Sequence, residues 1–109
     1  MTDILEVLDM SDIADPIQVT KNKTAKPKLY NVVFLNDDFT PMDFVKEVLQ
    51  QIFDKSLSDA IAITLEVHHY EKGIAGTYTY ELAEQKVYET MELAGARGYP
   101  LMLITEPAD

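Results

Sequence analysis

Three polar features carry residue types suited to chemistry: Asn36-Asp37-Asp38, the pair His68-His69, and the polar face of the helix expected after Thr79. An amide carbonyl, carboxylates and a neutral imidazole all accept hydrogen bonds, so the first two features together can receive a donor-rich cation or, with a metal, activate water. Plainer readings stand beside these. Asn and Asp after an apolar run hydrogen-bond their own backbone in turns, and a helix histidine is commonly a surface residue. Adjacent histidines on a helix point about 100° apart, which keeps them from readily sharing one ion. With no His-x-x-x-His pair and no cysteine, a metal site has little support. Ser11, Ser56 and Ser58 fall in tail, loop and cap contexts, so none sits in the strained elbow that makes a serine a nucleophile.

The 109 residues, 47% of them hydrophobic, suffice for one modest core and leave no room for a second domain of ordinary size. With 19 acidic against 9 basic side chains the formal charge is -10, which repels phosphate backbones and anionic headgroups. Neither nucleic acid nor membrane is expected as a partner. The absence of cysteine suits a reducing compartment. No apolar run has the length to cross a bilayer, and Met1-Thr2-Asp3 does not begin a secretory signal, so the expected location is cytoplasmic. Nothing in the sequence calls for a cofactor or for more than a monomer.

The elements that must position the polar residues follow from periodicity. Residues 1–28 pair an acidic stretch with a basic, polar one and read as a flexible N-terminal extension, leaving 29–109 as the core domain. Leu29 to Leu35 is aromatic and β-branched and reads as a strand that Asn36-Asp37-Asp38 ends. Thr40 is the expected N-cap of a helix with Pro41 at its first position and Asp43 in its first turn. Val45, Val48, Leu49, Ile52 and Phe53 form its inner stripe. A second helix is expected from a Ser58 cap to His69, and a second strand from Ile74 to Tyr80. A third helix follows a Thr79 cap, with Leu82, Ala83, Val87, Met91 and Ala94 facing inward and Gly95 or Gly98 as its stop. Pro100 to Thr105 is a last strand, expected to be central because four consecutive apolar residues leave no wet face. The order β-α-α-β-α-β predicts an α+β two-layer sandwich in which a three-stranded antiparallel sheet packs with three helices.

The run Leu35-Asn36-Asp37-Asp38-Phe39-Thr40-Pro41-Met42-Asp43-Phe44-Val45 resembles the ClpS adaptor family. So do Val67-His68, Thr79 to Val87, and Gly98-Tyr99-Pro100-Leu101, in the same order and spacing. The resemblance covers about residues 29 to 106. It implies a non-enzymatic adaptor that grips a free N-terminal residue with a bulky apolar side chain, such as Leu, Phe, Tyr or Trp, and hands the protein to a Clp AAA+ ATPase. By match to the family motif, Asn36, Asp37 and His68 bind the amine, while Asp38 and Thr40 support the loop. Met42, Val45, Thr64 and Leu101 line the apolar hole. Glu81, Glu84 and Lys86 dock on the N-terminal domain of a ClpA-like or ClpC-like ATPase, and residues 1–28 serve delivery. A protonated amine leaving water needs acceptors for three donors, which this set supplies. Burial of a Leu or Phe side chain contributes roughly 1.5 to 3 kcal/mol, so a reversible grip of micromolar order is expected once association costs are deducted.

One departure concerns the pocket wall. The family commonly has Met where this chain has Thr64, which implies either altered specificity, with β-branched side chains such as Ile admitted at some cost to the best aromatic ligands, or a threonine that merely bonds the preceding turn. Two other readings stay open on the sequence alone: a generic acidic interaction module of the ribosomal-stalk C-terminal type without a pocket, and a metal-assisted hydrolase using Asp37, Asp38 and His68.

Overall fold

Alternating aromatic and β-branched residues make Leu29–Leu35 a strand, β1, and its two neighbours pair with it on either side. The structure, a computed structural model, describes residues 27–108; the extension expected over 1–28 lies almost wholly outside them. The described chain runs β1, α1 (Met42–Gln51), α2 (Leu57–Tyr70), β2 (Lys72–Thr79), α3 (Tyr80–Ala96) and β3 (Met102–Pro107). The sheet is antiparallel throughout, in the order β2-β1-β3, so the expected α+β sandwich with three strands and three helices is what forms.

The central strand is β1, and β3 lies at an edge, which corrects the expectation from its apolar run. Leu101 and Leu103 are buried, whereas Met102 and Ile104 are half-exposed. The reason is that the core cluster lies on one face of the sheet only. Val32, Phe34 and Leu103 turn toward it, while Val33 pairs with Ile74 and Ile104 on the opposite face. A continuous apolar run therefore serves two unequal faces. In β2 the register slips between Val32 and Val33, leaving Ala75 as an unpaired, fully buried bulge residue.

Helix boundaries follow local backbone chemistry. The N-cap of α1 is Pro41, extended at φ -65 and ψ 143 and without a side-chain cap; Thr40 spends its hydroxyl on Asp37 instead. The α2 cap is Ser56, not Ser58, with its Oγ accepting from the Asp59 N–H at 3.2 Å. In α3 the inward stripe is Ala83, Val87, Thr90 and Ala94; Leu82 and Met91, expected inside, sit one position out of phase and are exposed. Small residues on that stripe let α3 lie close on all three strands.

Two ties hold the helices together. Lys86 buries its stem and donates from Nζ to the Ile52 carbonyl at 2.6 Å, with the ammonium 5.4 Å from the Tyr78 ring centre and 5.7 Å from that of Phe53. Arg97 reaches back to α1, donating through both terminal nitrogens to Glu47 at 3.3 and 3.2 Å. Its guanidinium also sits 5.3 Å from the Phe44 ring centre.

A Schellman motif closes α3: the Gly98 N–H donates to the Gly95 carbonyl at 3.1 Å and the Tyr99 N–H to the Ala94 carbonyl at 2.9 Å. Gly98 has φ +79, and a Cβ built there would meet nothing within 4 Å. Gly98→Ala is therefore a purely conformational perturbation, expected to cost about 1 to 2 kcal/mol. Urea unfolding checks it through a lower midpoint at unchanged slope; an unmoved midpoint contradicts the motif's role.

Candidate functional site

Between the end of β1 and the start of α1 the chain has no ladder to satisfy its backbone, and Asp37 supplies the missing acceptors. Its Oδ1 accepts the N–H groups of Phe39 at 2.8 Å and Thr40 at 2.7 Å, and its Oδ2 accepts the Thr40 hydroxyl at 2.8 Å. A second anchor comes from the far end of α2, where Glu71 turns through the left-handed region at φ 71. Its carbonyl accepts the Asn36 N–H at 2.9 Å. The loop is thus pinned from inside by a carboxylate and from outside by the α2 terminus.

This pinning brings α1, α2 and the lead into β3 around one hollow. It is lined by Leu35, Asn36, Asp37, Thr40, Met42, Val45, Thr64, Val67, His68 and Leu101. The polar residues come from the loop and the last turn of α2, and the apolar ones make the walls. The hollow encloses about 280 Å³ with its open mouth included. It is a narrow slot. Met42, at 42% exposure, stands at its rim, and its unbranched thioether side chain is of the adaptable kind.

Of the residues expected at an amine cradle, Asn36, Asp37 and His68 all line the slot. So do Thr40 and the four expected wall residues Met42, Val45, Thr64 and Leu101. Asp38 is exposed and outside the lining. Leu35 and Val67 line it too, although the sequence motifs that contain them do not assign them to the pocket. Val67 had a legible signal, since it lies three residues after Thr64 on the buried stripe Ala60, Thr64, Val67. Leu101 is delivered by the loop after α3, which Gly98 turns and the Phe44–Tyr99 edge-to-face pair, 4.8 Å between ring centres, holds against α1. Thr64 is buried, and its hydroxyl has no hydrogen-bond partner, so the bond to the preceding turn that would make it purely structural is not made.

Glu81, Glu84 and Lys86 lie on α3 and take no part in the slot. Glu81 and Glu84 are exposed, and Glu84 accepts the Thr105 hydroxyl at 3.5 Å. Lys86 is half-buried and engaged with Ile52. Among the described residues no three His, Asp or Glu side chains converge in a metal-holding group, and no helix is long and apolar enough to cross a membrane.

Burial would raise the Asp37 pKa, but the Thr40 hydroxyl and the Phe39 and Thr40 N–H groups outweigh it and hold the carboxyl below its ordinary value of 3.8. A depressed native pKa means that the carboxylate's stabilisation of the loop is complete above 3.8 and is lost only as pH falls through the lower native value. The amide resonances of Phe39 and Thr40 should therefore titrate together with a midpoint below 3.8. A midpoint above that value would remove the three bonds from the account.

The model of the family described as "ATP-dependent Clp protease adaptor protein ClpS" matches residues 25–104. An "ATP-dependent Clp protease adapter protein ClpS" of Helicobacter hepaticus is 49% identical over 81 residues, covering 74% of this chain and 82% of the relative. The protein of the same name from Phenylobacterium zucineum is 49% identical over 90 residues, 83% of each chain. A solved structure of Agrobacterium tumefaciens ClpS2 bound to L-phenylalaninamide superposes with a TM-score of 0.72 at 36% identity, over 75% of this chain and 99% of that one. Sequence matches of this extent, together with the shared fold, place the chain in the ClpS family of ATP-dependent Clp protease adaptors.

Proposed function

We propose that this chain is a non-enzymatic adaptor that captures proteins by a bulky apolar N-terminal residue and delivers them to a Clp AAA+ ATPase. The observation that carries the reading is the single slot in which acceptors cluster at one end and apolar walls fill the rest. An α-ammonium presents three donors. The Asn36 side-chain carbonyl, the His68 imidazole and the Asp37 carboxylate are the matching acceptors. Three of the roughly four lone-pair sites of Asp37 hold the loop, which leaves one for the guest. The same bonds that consume the carboxylate also fix its orientation, so the cradle is organised before the guest arrives. The relative bound to L-phenylalaninamide supports the chemistry, since that ligand is a free amine beside a benzyl group.

Selectivity for a chain terminus follows from the same physics. An internal peptide nitrogen has at most one donor and no charge, so it leaves the acceptors of the slot unpaired. For a peptide beginning with Leu or Phe, N-terminal acetylation is expected to abolish measurable binding in a fluorescence titration, and His68→Ala to weaken it about tenfold or more. Equal affinity for the free and acetylated peptides would end the reading.

Delivery requires a second surface, and the exposed start of α3 is our candidate, through Glu81, Glu84 and Lys86 toward the N-terminal domain of a ClpA-like or ClpC-like ATPase. Charge reversal by Glu81→Lys should weaken capture of that domain while leaving peptide binding unchanged and lowering stability by no more than about 1 kcal/mol, the effect of a reversed charge in the first turn of α3. Lys86→Ala should lower both docking and stability, because it also removes the tie to Ile52. Undiminished docking by Glu81→Lys and Glu84→Lys together would move the partner surface elsewhere.

A further inference from the structure

The slot contains one polar atom for which the protein supplies no partner. Thr64 is 6% exposed, and its Oγ1 is buried without a hydrogen bond, the only such side-chain atom among the described residues. A helical threonine ordinarily gives its hydroxyl to the carbonyl four residues back. Thr90 does so on α3, donating to the Lys86 carbonyl at 2.8 Å. The equivalent acceptor for Thr64 is the Ala60 carbonyl, and that bond is not formed. A valine would fill the same volume without burying a hydroxyl, so the group is costly to the scaffold and serves nothing within it.

Its surroundings narrow what it can meet. Leu35, Met42, Val45, Val67 and Leu101 offer no polar side-chain atom, Asp37 and Thr40 are bonded to each other, and neither Asn36 nor His68 makes a hydrogen bond to the Thr64 hydroxyl. Thr64 stands four residues before His68, one helical turn or about 5.4 Å along α2 from the acceptor end of the slot. A partner must therefore arrive with the guest, on a side-chain atom remote from its amine. Among bulky apolar N-terminal side chains, Leu and Phe have none. Trp carries a donor only, on the flank of its ring and off the axis that leads away from the amine. Tyr carries a hydroxyl on the ring axis that both donates and accepts.

We propose that Thr64 determines specificity within the site, its hydroxyl pairing with the phenolic hydroxyl of an N-terminal tyrosine so that the slot selects Tyr over Phe. This rests on the capture of N-terminal residues proposed above. A phenyl ring seated there leaves the Thr64 hydroxyl without a hydrogen bond, whereas a phenol supplies one.

The test uses the full chain and peptides identical except for an N-terminal Tyr, Phe or 4-methylphenylalanine, each free and acetylated, titrated by fluorescence anisotropy. Wild type should bind the Tyr peptide about three- to tenfold more tightly than the other two. The methyl derivative matches tyrosine in size and lacks only the hydroxyl, so this comparison needs no variant. Thr64→Val should bring the ratios to about one, and Thr64→Ser should keep the preference. Amine-dependent binding with equal affinity for Tyr and 4-methylphenylalanine in wild type, or a Tyr preference surviving in Thr64→Val, overturns the role of Thr64 and leaves the adaptor reading intact. Binding that is absent or insensitive to acetylation overturns both.

Discussion

The carboxylate of Asp37 is the constraint on which the site depends. Six residues, Asn36 to Pro41, must carry the chain from the central strand to α1 without regular hydrogen bonding, and three of their donors converge on this one group. A neutral side chain offers fewer acceptor sites, and an exposed carboxylate would leave the loop to water. Part-buried and triply bonded, Asp37 costs desolvation and repays it with geometry. Because Asn36 is the next residue back, and because its N–H is held by the Glu71 carbonyl, the polar end of the slot is rigid on both sides.

The apolar end is built by different means. Leu101 belongs to no helix, and its position is inherited from the close of α3: the left-handed Gly98, the ring of Tyr99 against Phe44, and the Arg97–Glu47 pair that ties the same turn to α1. That pair is partly exposed on both sides, so its value lies in register more than in net energy. Lys86 shows the reverse case. A cation expected at a partner surface is half-spent inside the protein, bridging α3 to the last turn of α1 across two aromatic faces. A small domain has few side chains to spare, and several of these serve the fold and the surface at once.

How far the sequence speaks depends on the range of the interaction. The strand–turn–helix around Asn36, the stripe that sets Thr64 and His68 on one face of α2, and the α+β class were legible, since each follows from residue type within a few positions. The cap of α1 misled because a proline already extended at φ -65 leaves the hydroxyl of Thr40 to a tertiary-like bond with Asp37. The inward face of α3 misled because two apolar stripes one residue apart are both present, and the sheet accepts the one with small side chains. The centrality of β3 misled because the sheet is covered on one side only.

By itself, then, the amino-acid order determined the elements, their turns, and the residue types that a cradle for an ammonium group requires, because hydrogen-bonding capacity and helical or strand periodicity are local properties. Only the tertiary structure decided that loop, helix end and strand lead-in meet at one slot, how narrow that slot is, and that the Thr64 hydroxyl finds no partner within the protein. Those outcomes turn on packing between residues tens of positions apart, where shape and mutual desolvation, not residue type, choose among arrangements that the sequence leaves equal.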